Sequence, residues 1–358
     1  MPTKKQHYVP RVYLKAWETK VETSKEPTKK FDGVYYFENR TLIGEGSTRE
    51  RILWEPHLYT IWFKHLYLAR SCPRVYTYFV DEVHKAMTSN QPFPIYGKLG
   101  KSIIKTKQSV RKHLFDIEDW DFFYYDGRVA RKKAILSRVN DMTCYILEDS
   151  FDSFYESKWE SIMHTFITAV RRAYPIPDAG DRIISEKAAM DMLEFFFMMV
   201  CRSPQFPETG VYSKIRDILI QSFGCQEEIT EMMDAVWFSE LYKMFFKQNS
   251  GFYHNIIEKV LDKCQFILFE TYPDAGTFIT SDNPAFQHLS MVESENMNGY
   301  YFPLTPNHLL MIVKGCAPVN VVDYRMAKTQ TVQKINRIIA SHSNHIVVSK
   351  EKNLAKLL

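Results

Sequence analysis

Phe278-Ile279-Thr280-Ser281-Asp282-Asn283-Pro284 is the stretch on which the reading of this chain turns. An apolar and β-branched run passes into Ser, Asp and Asn before Pro, which reads as a strand ending in an Asx-Pro turn. On either side, Gln265 to Glu270, Gly276 to Thr280, Tyr300 to Leu304, His308 to Val313 and His345 to Ser349 read as short strands divided by Pro, Gly and Asn. A helix is predicted from about Thr329 to Ser341. Residues 264–358 therefore form a strand-rich C-terminal part.

Upstream the period changes. Between Gly127 and Phe246 apolar residues recur at helical spacing, among them Trp159, Ile162, Phe166 and Val170, and Tyr174-Pro175-Ile176-Pro177 interrupts them. Helices are predicted at 181–202, 211–223 and 226–247. At the N-terminus, Val9-Pro10 is an extended dipeptide opening a helix, with Tyr13, Leu14 and Trp17 on one face. Phe31 to Phe37 with the Gly44 to Gly46 turn reads as a hairpin, and 90–100 as turn-rich. The predicted fold class is α+β: predominantly helical, with a small antiparallel or mixed sheet built from N- and C-terminal segments. The parts are 1–126, a helical middle 127–263 serving as insert or cap, and 264–358, forming one compact unit.

The 358 residues are 45% hydrophobic and 15% aromatic, enough for a sizeable core and incompatible with a disordered chain. A net charge of +4 admits nucleic acid as a partner without arguing for it. Six scattered Cys with no CxxC pair read as reduced thiols. Neither a signal peptide nor a membrane-length apolar run is present, so the expectation is a cytoplasmic protein with no membrane partner. The oligomeric state stays open.

Several residues carry candidate chemistry. His7, in a stub before a helix, is either a general acid/base, a metal ligand or a phosphate donor, with Arg11 and Lys15 supplying positive potential, or an anchor hydrogen-bonded to backbone. Asp282, flanked by Ser281 and Asn283, is either a base or metal-binding carboxylate, or a turn former. Arg202 ends an apolar helix before Ser203-Pro204; it either completes the helix dipole or grips an anion. Thr305, between Pro303 and Pro306, fixes a loop or bonds a ligand. Glu156 and Glu160 are one turn apart, and a solvated acidic face competes there with a divalent-metal pair. His342 and His345 lack a third ligand for zinc. No GxGxxG, P-loop, HExxH or GxSxG motif occurs.

Taken in order, Lys5-Gln6-His7-Tyr8-Val9-Pro10 with Tyr13-Leu14, then Phe278 to Pro284, then Phe302-Pro303-Leu304-Thr305-Pro306, resemble the uncharacterised, mainly bacterial family known as domain of unknown function 4238. Val34-Tyr35-Tyr36-Phe37, His57-Leu58-Tyr59-Thr60, Arg202-Ser203-Pro204 and Ile335-Asn336 are similar to further stretches of it. The resemblance implies that His7, Arg202 and Asp282 converge; it supplies no reaction, and anti-phage defence is the setting it suggests. The leading expectation is a cytosolic hydrolase acting on a phosphodiester or nucleotide, in one form a nuclease. His7 is its acid/base, Asp282 its base or metal carboxylate and Arg202 its phosphate holder. Tyr59, Ser281, Asn283, Thr305 and Arg11 line the substrate site, and a divalent metal is an open cofactor. The alternative is a non-catalytic protein that senses a ligand or binds a partner, with His7 and Asp282 structural or ligand-binding.

Overall fold

Strand Cys264–Thr271 is the axis around which the larger part of the protein is built. The computed structural model describes residues 5–39, 41–56, 58, 69, 73–89, 94–140, 155–172, 181–204, 210–224, 226–231, 233, 264–290, 297–315 and 318–358. The axial strand pairs antiparallel with His308–Lys314 and parallel with Val321–Ala327. Gly299–Thr305 and Phe286–His288 extend the sheet on one side and Asp181–Ile183 on the other, giving six strands.

The apolar run of the axial strand follows from burial on both faces, which removes the need for alternation. Ile267 and Phe269 face a core shared with Tyr35, Phe37, Tyr301, Leu309, Ile335 and Val347. Phe266 points the other way and meets Phe166 edge-on, with ring centres 5.7 Å apart. On that second face helices Trp159–Arg172 and Glu186–Arg202 deliver Trp159, Phe195 and Phe196, which gather around Phe302. Helix Thr329–His342 lies on the first face, with Val332, Ile335 and Ile339 in the shared core.

A second sheet joins distant parts of the chain. Ile346–Ser349 is paired with Phe31–Glu38 on one side and Thr280–Ser281 on the other, and Thr19–Val21 and Glu45–Ser47 complete it. A two-stranded pair, Lys5–His7 with Trp54–Pro56, stands apart. By compactness the chain forms two units, one from 1–58, 149–209 and 245–358, the other from 59–148 and 210–244. In the second unit Ile95–Leu99 is the centre of a three-stranded antiparallel sheet with Ser102–Ile104 and Asp121–Tyr124. Gly97 lies flat on Trp120; a Cβ there would come within 2.7 Å of the indole.

The expected fold class needs correction. The chain is not predominantly helical with a small sheet: its described residues hold sixteen strands in four sheets beside nine α-helices. The missing strands have two physical causes. Val321–Ala327 and Asp181–Ile183 are paired with each other across more than a hundred residues, and the latter opens a stretch that reads as helix throughout. In 95–104, glycines that read as turn markers sit inside or between paired strands. For Val321–Ala327 and Asp181–Ile183, strand formation is decided by distant partners and burial, which a local window does not contain.

Candidate functional site

Three separated segments meet in the first unit. The Tyr13 hydroxyl donates to the Pro303 carbonyl at 2.7 Å and shares a 2.7 Å hydrogen bond with the Thr280 hydroxyl. Trp17 Nε1 donates to the Phe278 carbonyl at 3.0 Å. Tyr13 and Trp17 are fully buried, and burial pushes the Tyr13 phenol far above its ordinary value. The short helix that follows Pro10 thus docks on the 278–280 and 302–304 segments.

Arg202 fastens the N-terminal strand to this arrangement. Its Nε and Nη2 donate to the His7 carbonyl at 3.0 and 2.5 Å, and its Nη1 binds Glu156 Oε1 at 2.6 Å. The Arg202 side chain is almost wholly buried, so an uncompensated charge there would be costly and its partners are accounted for within the protein. Its helix ends where Ser203 takes an extended conformation ahead of Pro204.

Asp282 is also engaged. Its Oδ1 accepts the Asn344 N–H at 2.9 Å, and its Oδ2 accepts His345 and Ile346 N–H at 2.7 and 3.0 Å. The carboxylate is buried and caps the turn that leads into strand Ile346–Ser349. Ser281 Oγ accepts the Asn283 N–H, and Asn283 Nδ2 reaches the His342 carbonyl at 3.2 Å. Thr305 Oγ1 accepts the Asn307 and His308 N–H groups and meets His308 Nδ1 at 2.9 Å, closing the hairpin. Arg11 is exposed, and its carbonyl accepts from Arg49 Nη1. Tyr59 lies outside the described residues.

His7 is different in kind. Desolvation, then the positive charges of Arg11 and Arg202, lower its imidazole to about 4, so it is neutral near pH 7. The ring hydrogen-bonds the Glu50 backbone, while its buried Nε2 has no hydrogen-bond partner among the described residues. Glu156 and Glu160 do not act as a pair: Glu156 serves Arg202, and exposed Glu160 meets Lys15 at 3.3 Å. His342 stacks on Phe286 and bonds the Ile338 carbonyl, while exposed His345 offers its backbone N–H to Asp282. Among the described residues no group of three or more His, Cys, Asp and Glu is arranged to hold a metal ion.

A cleft of about 580 Å³ adjoins these segments. Tyr8, Tyr36 and Trp54 line it together with Glu38, Glu45, Lys25 and Arg51, and Ile346 sits in its wall. Burial, followed by the charges of Asp282 and Glu55, raises the Tyr8 hydroxyl well above its ordinary value. Burial and then Glu38 and Glu45 raise that of Tyr36. Both hydroxyls therefore remain protonated donors in electronegative surroundings.

One polar cluster is absent from the sequence reading. Glu270, near the end of the axial strand, accepts both Arg171 Nε at 2.9 Å and Arg171 Nη2, and takes the Tyr324 hydroxyl at 2.6 Å. His308 Nε2 stands 3.5 Å away. Burial by itself would raise the Glu270 carboxyl, but His308, Arg171 and Tyr324 together hold it well below the usual range. The available signal was a lone acid ending the apolar run Phe266 to Phe269 and a lone imidazole opening the run Leu309 to Val313.

A family model described as Protein of unknown function (DUF4238) matches residues 5–353. No curated protein and no solved structure matches the chain. No helix among the described residues is long and apolar enough to cross a membrane.

Proposed function

We propose that this chain, which belongs to the DUF4238 family, is a ligand-binding protein whose chain-end segments frame a small-molecule cleft rather than a reaction centre. The observation that carries the reading is the commitment of the polar groups. Both oxygens of Asp282 and the guanidinium of Arg202 are taken up by protein partners, whereas the adjoining cleft is open. The ligand class follows from the lining: three aromatic rings beside the Glu38 carboxylate, with Glu45 held by the Ser24 N–H in the same wall, suit an organic cation. Trp54 already receives one, the Lys5 ammonium 4.4 Å from its ring centre. Lys25 and Arg51 would accept an anionic group on the same ligand, so a zwitterion fits best.

Titration calorimetry with arginine and choline as probes tests this. Binding that is weakened about tenfold by Glu38→Gln or Tyr36→Ala supports the reading. Equal affinity in these variants, or no heat with either probe, removes it.

A second reading, phosphodiester or nucleotide hydrolysis, is favoured by one observation: a neutral imidazole at His7 with an unpartnered Nε2 and Arg11 close by. In it His7 accepts the proton of the attacking water, and Arg202 and Asp282 hold the surrounding backbone in place. Hydrolysis of a nucleotide or oligonucleotide that survives His7→Gln unchanged rules this out.

A further inference from the structure

We infer that the outward face of the three-stranded sheet in the second unit binds single-stranded nucleic acid. The inference is independent of the cleft, which belongs to the first unit.

The charge distribution points there first. Residues 95–133 hold ten Lys and Arg against five Asp and Glu, a surplus larger than the +4 of the whole chain. The rest of the sequence is therefore slightly acidic, and the mild overall charge conceals a concentrated basic segment.

The face itself carries the second argument. Along Ile95–Leu99 the side chains alternate: Ile95 and Gly97 are buried, and Tyr96 and Lys98 point outward. Tyr96 is in register with Phe123, and their rings stack at 5.7 Å with 25° between planes. Tyr125 stands edge-on to Tyr96, also at 5.7 Å. Tyr125 is 52% exposed, Ile103 57% and Val129 73%, so this is an open apolar face and not a core in waiting.

A cation lies over the rings. The Lys105 ammonium lies 4.5 Å from the centre of Tyr96 and 5.0 Å from that of Tyr125. Lys98 and Lys101 are exposed with no ion pair among the described residues, and Arg131-Lys132-Lys133 follows Val129 closely in the chain. Aromatic rings laid out on a sheet give successive unpaired bases a surface to stack on, and the lysines meet the phosphates between them. A paired duplex hides its base faces and gains nothing from the rings. Asp121, exposed and in register with Lys98, is the one acid on the strands at this edge and opposes the same ligand.

The test is fluorescence anisotropy on the full chain with a labelled single-stranded oligonucleotide of about 20 nucleotides. The expected result is binding that weakens steeply with salt, falls about tenfold in Tyr125→Ala and in Lys105→Glu, and tightens in Asp121→Lys. All three positions are exposed, and unchanged thermal unfolding of the variants separates lost binding from lost fold. A duplex of the same length should compete poorly. No salt-dependent binding, equal affinity in the three variants, or a duplex that competes as well as the single strand overturns the inference. Preferential binding of phosphatidylserine vesicles, with no competition by the oligonucleotide, also overturns it and assigns the face to an anionic membrane surface.

Discussion

At the scale of the residue, His7 and Asp282 differ in what their surroundings let them do. Asp282 neutralises three backbone donors at once, so Asp282→Ala leaves three N–H groups without an acceptor. A loss of about 3 kcal/mol in urea unfolding is expected, and Asp282→Asn should cost roughly half of that. His7 carries a pH signature. Its imidazole falls to about 4 in the folded chain from an ordinary 6.5, so the unfolded chain binds the extra proton between those values. Its contribution to stability is complete above pH 6.5 and is lost as the pH falls towards 4. Glu270, whose carboxyl is depressed by its three partners, loses its contribution only below the ordinary carboxylate range. Thermal unfolding against pH should therefore decline in two stages. His7→Gln should flatten the upper stage alone; a profile identical to the parent would mean that another group titrates there.

At the scale of the element, single polar side chains set how helices and strands meet. Asn336 is fully buried in the middle of helix Thr329–His342. Its Nδ2 donates to the Thr277 and Leu357 carbonyls, and its Oδ1 accepts the Ile279 N–H at 3.1 Å. One side chain thus ties the helix to the approach to Thr280–Ser281 and to the chain terminus. Asn336→Leu preserves volume but strands all three backbone groups, and a loss of about 3 kcal/mol is expected from the urea midpoint. Arg202 plays the same part for strand Lys5–His7. Arg202→Met should destabilise by about 3 kcal/mol because Glu156 loses its counter-charge in a mostly buried place. Adding Glu156→Leu should recover part of that loss, and a double-mutant cycle measures the coupling. Strictly additive losses would mean that the pair is not what holds the strand.

At the scale of the molecule, strand Ile346–Ser349 sits between Phe31–Glu38 and Thr280–Ser281, so a segment close to the end of the chain is an interior strand of a sheet. Deleting residues 344–358 removes that strand, the donors to Asp282 and the Leu357 carbonyl that Asn336 binds. The expected outcome is loss of a cooperative unfolding transition by circular dichroism; a truncated chain that melts like the parent would show that the strand is dispensable. Much of this frame was legible in local sequence. The axial strand, the hairpin at Phe31, the turn at Asp282 and the helix over 329–342 each carry their own pattern, because turn chemistry and continuous apolar runs are local properties. Val321–Ala327 and Asp181–Ile183 were not legible because their hydrogen-bond partners lie far away in the chain, whereas the local hairpin at 95–104 was hidden by glycines that read as turn markers. The same division separates the residues of interest from their roles. Local sequence is enough to mark His7, Arg202 and Asp282 as chemically capable groups beside stiffened turns. That Arg202 and Asp282 direct their charges to backbone and to Glu156 emerges only on folding, since burial and the arrival of distant partners set what a charged group can still offer.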